Sequence, residues 1–250
     1  INIMKLIDKL LVIAGKKDFK IDDKISTGYI LRMCWKYGWM MIRGKIFSFG
    51  RHNISNSVFV GKRVKTLEKR YLHMGNQCKL HDNVYVDALS RDGVRLGDRV
   101  ILGRGTRIEC TGSLKYVGKG VMIGNDTTFG NDCFFGAAGG IKIGNDVVAG
   151  QFIRFHSENH NYEDMDTLIK DQGVNHKGII VGDNCWIGSG VVFLDGASIA
   201  NGCVVAANAV ITKQFPENSI VGGVPAKIIG YRDKTVSYTH LRAHETPEHL

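Results

Sequence analysis

The stretch IGNDTTFGNDCFFGAAGGIKIGNDVV, residues 123–148, decides how this chain folds, because one six-residue phrase opens it, follows immediately and returns at its end. The phrase reads large apolar residue, then Gly or another small or acidic residue, two turn-forming polar residues, a small or β-branched residue, and a variable one. Working outward, LGDRVI begins at Leu96, LGRGTR at Leu102 and VGKGVM at Val117. On the other side come VGDNCW at Val181, IGSGVV at Ile187, FLDGAS at Phe193, IANGCV at Ile199 and VAANAV at Val205. Degenerate copies start at Ile54, Val60, Met74 and Leu80. Six residues are too few for a helical repeat and suit one short strand plus one turn. Three units close a triangular coil of about 18 residues, and coils stacked at about 4.8 Å form a parallel β-helix. The first and fifth positions then point inward, and the fifth must be small, which accounts for Cys78, Cys133, Cys185 and Cys203 in that slot. Asn and Gly after the lead aliphatic fit corners that take positive φ at little steric cost. A phase slip of two residues between Phe135 and Ile143 predicts a bulge there.

Composition narrows the reading. The 250 residues are 44% apolar, enough for a real core, and they hold 31 Gly against 3 Pro without the every-third-residue period of collagen. No apolar run reaches the roughly 18 to 20 residues of a membrane helix, and the first fifteen residues interleave Lys and Asp with aliphatics, so neither a signal peptide nor a spanning segment is expected. The six cysteines form neither a CxxC pair nor a zinc-spaced cluster, and free thiols in a cytoplasmic protein are the expectation. The net charge of +9 is uneven: residues 24–67 carry nine Lys or Arg and no acid. A basic segment can meet nucleic acid, an anionic membrane or acidic glycans. This one lacks a recognisable nucleic-acid module, and no nucleic-acid partner is expected.

The in-phase copies across residues 54–230 resemble the hexapeptide-repeat acyltransferases, among them galactoside and maltose O-acetyltransferases and polysaccharide-biosynthesis acetyltransferases. The resemblance implies an all-β fold, a left-handed parallel β-helix with three repeats per coil and a short N-terminal helical segment, an exception to the right-handed crossover preference. On this reading residues 1–53 are a helical cap and 54–233 the β-helix domain with an extended loop at 156–180. Residues 234–250 share nothing with the repeat and read as a non-native tail. The same coil serves γ-class carbonic anhydrases and non-catalytic proteins, so fold alone does not settle function.

The repeat breaks at FHSENHNYEDMDTLIKDQGVNHKGII, residues 155–180, and long polar excursions of this kind are usually functional. The segment SENHNY resembles the family's loop histidine and assigns the catalytic role to His160, with His156 and Asn161 shaping the acceptor pocket and His176 on the surface. Chemistry agrees: a sugar hydroxyl needs a base as it attacks a thioester, and imidazole with a pKa of about 6.5 suits that task. Zinc hydration would need three converging histidines, yet none occurs between His81 and His156, and no metal is expected. No GxSxG elbow supports a serine nucleophile.

The resemblance also implies an acetyl-CoA wall in the last coils. Ser189 and Ala207 stand where relatives bond the pantetheine amides, and Trp186 beside that tunnel. Thr212 and Lys213 stand near the nucleotide phosphates, with Lys227 a second basic residue. Asn208 replaces a usual Gly, and Gly230 an arginine of some relatives. A homotrimer with its clefts between copies, and a sugar or glycan acceptor, follow from the same resemblance. The expected activity is acetyl transfer from acetyl-CoA to a sugar hydroxyl in surface polysaccharide biosynthesis. An amino-sugar N-acetyltransferase and a non-catalytic scaffold are the alternatives.

Residues 27–43 (TGYILRMCWKYGWMMIR) predict a helix with Arg32, Lys36 and Arg43 along one stripe. It would cap the open first coil, whose strand edge otherwise invites aggregation, or touch an anionic membrane through residues 27–45.

Overall fold

The computed structural model describes residues 21–232 apart from 23 and 114; the expectations for the opening residues and for 234–250 lie outside the described residues. Three sheets wind into a left-handed β-helix, one strand of each sheet per coil, all parallel except for the last strand, 226–231, which pairs antiparallel with 219–223. In the first sheet Val60, Leu80, Leu102, Phe129, Ala149, Ile187, Val205 and Val221 stack in one column, so the coils advance by 20, 22, 27, 20, 38, 18 and 16 residues. The expected coil of 18 therefore occurs once. The corners after the first and third sheets keep four residues, as at 130–133 and 144–147, except the last, 216–218, which has three. The corner after the second sheet absorbs the variation, with insertions at 88–93, 110–120, 137–140 and 157–178.

The six-residue phrase has a physical meaning at every position. The lead residue and the fifth are buried, including Cys78, Cys133, Cys185 and Cys203. Positive φ belongs to the fourth position, as at Gln77, Asp126, Asp132, Asp146, Asn184 and Asn208, rather than to the residues directly after the lead aliphatic. Glycine at the second position answers a close approach instead: a Cβ on Gly182 would sit 2.6 Å from the backbone of Ala200 and Asn201 one coil on. The third position builds a ladder along the corner after the third sheet. There the side-chain oxygens of Asp98, Asn125, Asn145, Asp183 and Asn201 accept from the backbone N–H of Asn76, Asp98, Asn125, Asn145 and Asp183, at 2.6 to 2.8 Å. Each rung satisfies a donor that the turn would otherwise strand.

Two expectations change. The slip after Phe135 is the corner turn at 137–140, with strands 134–136 and 141–143 in unbroken register on both sides, and not a bulge. Val117 does not lead a coil; it is 39% exposed on the insertion, and Val121 and Ile123 fill the interior.

The core holds an aromatic column. Phe135, Phe155 and Phe193 stack with centroids 4.9 Å apart, and Phe129 meets Phe135 and Phe155 edge-on at 5.0 and 6.1 Å.

The helix α1 spans Thr27–Ser48 and is capped by Ser26, whose hydroxyl accepts from the Tyr29 N–H. It runs past residue 43 because its last turns pack on the first coil. Met40 and Ser48 are buried, and Gly44 lies so near the Val58 carbonyl that no Cβ fits. Arg43 Nε donates to the Val60 carbonyl at 2.8 Å, closing part of the open edge.

Burial pushes the thiols of Cys78 and Cys133 up to about 11 and that of Cys110 to about 12. Cys34 is exposed and the other five cysteines are buried. A thiol reagent added to the native protein at pH 8 is therefore expected to titrate one sulfhydryl quickly and the other five only on unfolding. Fast reaction of a second thiol in the native state would contradict this packing.

Candidate functional site

The insertions share one edge of the prism, and together they build a cleft of about 850 Å³. Arg91 and Lys119 contribute from the earlier insertions, and Glu158, His160, His176 and Lys177 from the long loop. Lysines and arginine outnumber the acids along its wall, which favours an anionic or phosphate-bearing ligand.

The long loop is tied at both roots. At its start Ser157 is fully buried, its hydroxyl donating to the Gly136 carbonyl at 2.8 Å and accepting from the Gly139 N–H at 3.0 Å. At its return the Asp195 carboxylate, 7% exposed, accepts from the N–H groups of Lys177 and Gly178 at 2.7 to 2.9 Å. Between the roots, Asn159–His160 pairs antiparallel with Val174–Asn175, so His160 rides on a two-stranded ribbon. Asn161 braces that ribbon: its amide donates to the Gln172 carbonyl at 3.0 Å and its oxygen accepts from Asn175 at 3.0 Å.

Replacing Asp195 by Ala is expected to cost about 1.5 to 3 kcal/mol, the range for hydrogen bonds to a charged acceptor. It is also expected to raise hydrogen exchange across 158–178 while the outer coils keep their protection. Unchanged exchange in the loop would show that the clasp does not hold it.

The His160 imidazole is exposed at the cleft and makes no hydrogen bond among the described residues. His176, read from sequence as a surface residue, lines the same cleft, with Nε2 2.7 Å from a Glu158 carboxylate oxygen. His156 lies elsewhere, in a depression of about 440 Å³ with Phe134 and Arg154. Desolvation and the Arg154 guanidinium both lower its pKa.

The donor-wall residues divide between two regions. Trp186 stands outward on the first sheet, paired with Val148 and Val204. Ser189 and Ala207 occupy the corner after that sheet, where the Ser189 hydroxyl accepts from the Gln151 N–H at 3.3 Å. Ser189 opens on a separate depression of about 390 Å³. Thr212 and Lys213 lie exposed at the corner after the second sheet, on the insertion edge but two coils beyond the long loop. Lys227 is exposed on the last strand, opposite Gly222. One chain thus brings His160, Glu158 and His176 together but keeps Trp186, Ser189 and Ala207 apart from them.

Sequence reasoning missed Arg91, Lys119, Glu158 and His176 as cleft residues. The signal was present: the spacing between successive core aliphatics lengthens at 88–93 and 110–120 as well as at 157–178.

The family model for the bacterial transferase hexapeptide (six repeats) matches residues 178–213. A protein of Mycobacterium tuberculosis named a probable acetyltransferase, Rv3034c, is 28% identical over 228 residues, covering 90% of this chain, which spans 64% of that protein's length. WbbJ of Escherichia coli, whose name assigns it O-acetyl transfer in lipopolysaccharide biosynthesis, is 28% identical over 150 residues, 56% of this chain and 74% of its own. Among solved structures, a single-residue mutant of the N-acyltransferase AntD from Bacillus cereus superposes with a TM-score of 0.52 at 12% identity, covering 77% of this chain and 90% of its own, a likeness of fold. Repeat, coil and matches agree in kind, and over its coils the chain resembles the hexapeptide-repeat bacterial transferases.

Proposed function

We propose that the protein transfers acetyl from acetyl-CoA to a sugar hydroxyl, in the cytoplasm and in the building or decoration of a surface polysaccharide. The observation that carries this is an imidazole, His160, without a hydrogen-bond partner among the described residues, held on a ribbon tied at both roots in a cleft of about 850 Å³. The names of the Mycobacterium and Escherichia relatives point the same way. In the reaction the sugar oxygen attacks the thioester carbonyl while His160 Nε2 or Nδ1 takes the hydroxyl proton. The C–S bond then breaks, and the imidazolium returns a proton to the departing thiolate, leaving the acetyl ester and free CoA thiol. A backbone N–H stabilises the oxyanion. No acyl-enzyme forms, because the thioester is already activated.

Trp186, Ser189 and Ala207 stand away from His160 in one chain, so a site that uses both sets needs a second copy. We assign the donor to a groove between copies of a homotrimer, with Thr212, Lys213 and Lys227 toward the phosphates; His156, in a separate depression from His160, is given no part at the acceptor. Asn161 acts by bracing the loop. Inactive His160→Ala chains mixed with inactive Ser189→Trp chains are then expected to regain activity on reassembly. Mixtures that stay inactive, although mass measurement shows mixed trimers, would place the whole site within one chain.

A second reading has its own observation. The Glu158–His176 pair, 2.7 Å apart in the same cleft, is an imidazole already oriented by a carboxylate. Thiol release from acetyl-CoA with a panel of sugars and amino sugars tests both readings and separates O- from N-transfer. We expect His176→Ala to lose less than His160→Ala. The reverse order would move the base to His176, and no thiol release with any acceptor would favour a non-catalytic scaffold.

A further inference from the structure

The helix α1 has two apolar faces, and the coil uses one. Met40, Gly44, Phe47 and Ser48 turn inward on the first coil. Leu31, Trp35, Trp39, Ile42 and Ile46 recur at the three- and four-residue steps of one helical face and all five are exposed, Trp35 at 71% and Ile46 at 72%; the cap residue Phe49, just past the helix, is 87% exposed. At about 100° per residue that ridge lies roughly opposite Met40. A solvent-facing helix surface is ordinarily polar, and this one carries two tryptophans 5.7 Å apart, edge to face. Arg32 borders the ridge on one side and Lys45 on the other, while Lys36 lies between the ridge and the inward face. Over residues 24–67 no acidic side chain offsets these cations. No helix among the described residues is long and apolar enough to cross a membrane.

We infer that this ridge docks the protein flat on an anionic lipid surface, with the two tryptophans and neighbouring aliphatics in the headgroup boundary and the basic residues against lipid phosphates. Three features separate this occupant from another protein. Tryptophan favours the membrane interface because its ring is apolar and its N–H polar. The charge around the ridge is of one sign, matching a leaflet rather than a second copy of the same positive helix. The ridge also runs about 22 Å along the helix from Leu31 to Ile46, the shape of an element lying in the plane of a bilayer. The face is built at no cost to the cap, since the inward residues are different ones. The inference is independent of acetyl transfer.

The test is co-sedimentation of the full chain with vesicles of phosphatidylcholine alone and of phosphatidylcholine with phosphatidylglycerol. Tryptophan fluorescence is read in a Trp186→Phe background, so that emission comes from α1 only. Binding with a blue shift is expected on the anionic vesicles, falling with added salt. The triple change R32Q/K36Q/K45Q is expected to weaken it about 100-fold, from about 1 kcal/mol per charge. The double change Trp35→Ser with Ile46→Ser is expected to abolish the blue shift with the melting temperature retained, because both side chains face outward. Failure of the folded wild type to bind anionic vesicles, or equal binding by either variant, would overturn the inference. So would two other results without vesicle binding: self-association lost in the Trp35→Ser, Ile46→Ser chain assigns the ridge to a second copy, and joint hydrogen-exchange protection of the ridge with residues 1–20 assigns it to that segment.

Discussion

Replacing His160 by alanine is expected to lower acetyl transfer by about 10²- to 10⁴-fold, the range that a positioned general base supplies. The loss should fall on kcat with little change in KM for acetyl-CoA, since the donor-wall residues stand on other parts of the coil. Stability should hardly change. His160 is exposed and its ring makes no hydrogen bond among the described residues, and surface substitutions of that kind stay within about 0.5 kcal/mol. The contrast between a large kinetic effect and an unchanged melting curve separates a base from a structural residue. Full activity in a folded His160→Ala protein would end the assignment. A parallel loss of activity and melting temperature would make His160 a brace of the loop.

The largest effect on stability is expected at Phe155. Its ring is fully buried and lies between Phe135 and Phe193, each 4.9 Å away, with Phe129 edge-on. Phe155→Ala removes the middle of that column, leaving a cavity that neighbouring coils, fixed by their ladders, cannot close. Truncations of this kind cost about 3 to 5 kcal/mol, and the aromatic pairs add to the area term. We expect the upper end, read as a shift in urea midpoint. Phe155→Leu keeps the apolar fill and loses the stacking, which separates the two contributions. The change should also loosen the long loop, because Ser157, two residues on, is its root. A cost below about 1 kcal/mol for Phe155→Ala would mean that the coil collapses around the gap.

The coil was legible in the sequence because each of its demands falls on a fixed place in the repeat. Buried Cys133 and Cys185 follow from the small fifth slot. Asn208, at the fourth place of its repeat, takes the left-handed conformation, φ 58°, that asparagine tolerates. The position of the left-handed turn was misjudged, since glycine serves both positive φ and close approach, and a composition of small residues does not separate the two. The helix was legible too, but its length was set by packing of Gly44 and Ser48 on the coil, which lies outside local sequence.

The site was less legible. His160 stood out because the longest interruption carries it. The Glu158–His176 pair joins residues 18 apart that meet only because the loop returns on itself. The contributions of Arg91 and Lys119 depend on insertions in different coils meeting at one edge, a register visible only after the coils are wound.

That shared edge gives the fold two kinds of freedom. A residue added at 130–133 or 144–147 would slip a strand against its neighbours and turn its inward side chains outward, breaking the asparagine ladder or the aromatic column. A residue added at 88–93, 110–120 or 157–178 leaves every rung paired, as the spread of coil lengths from 16 to 38 residues illustrates. Binding preference can therefore be rewritten by lengthening or trimming one margin of the prism while the scaffold's thermodynamics stays as it was, which makes that margin the place to engineer a new acceptor.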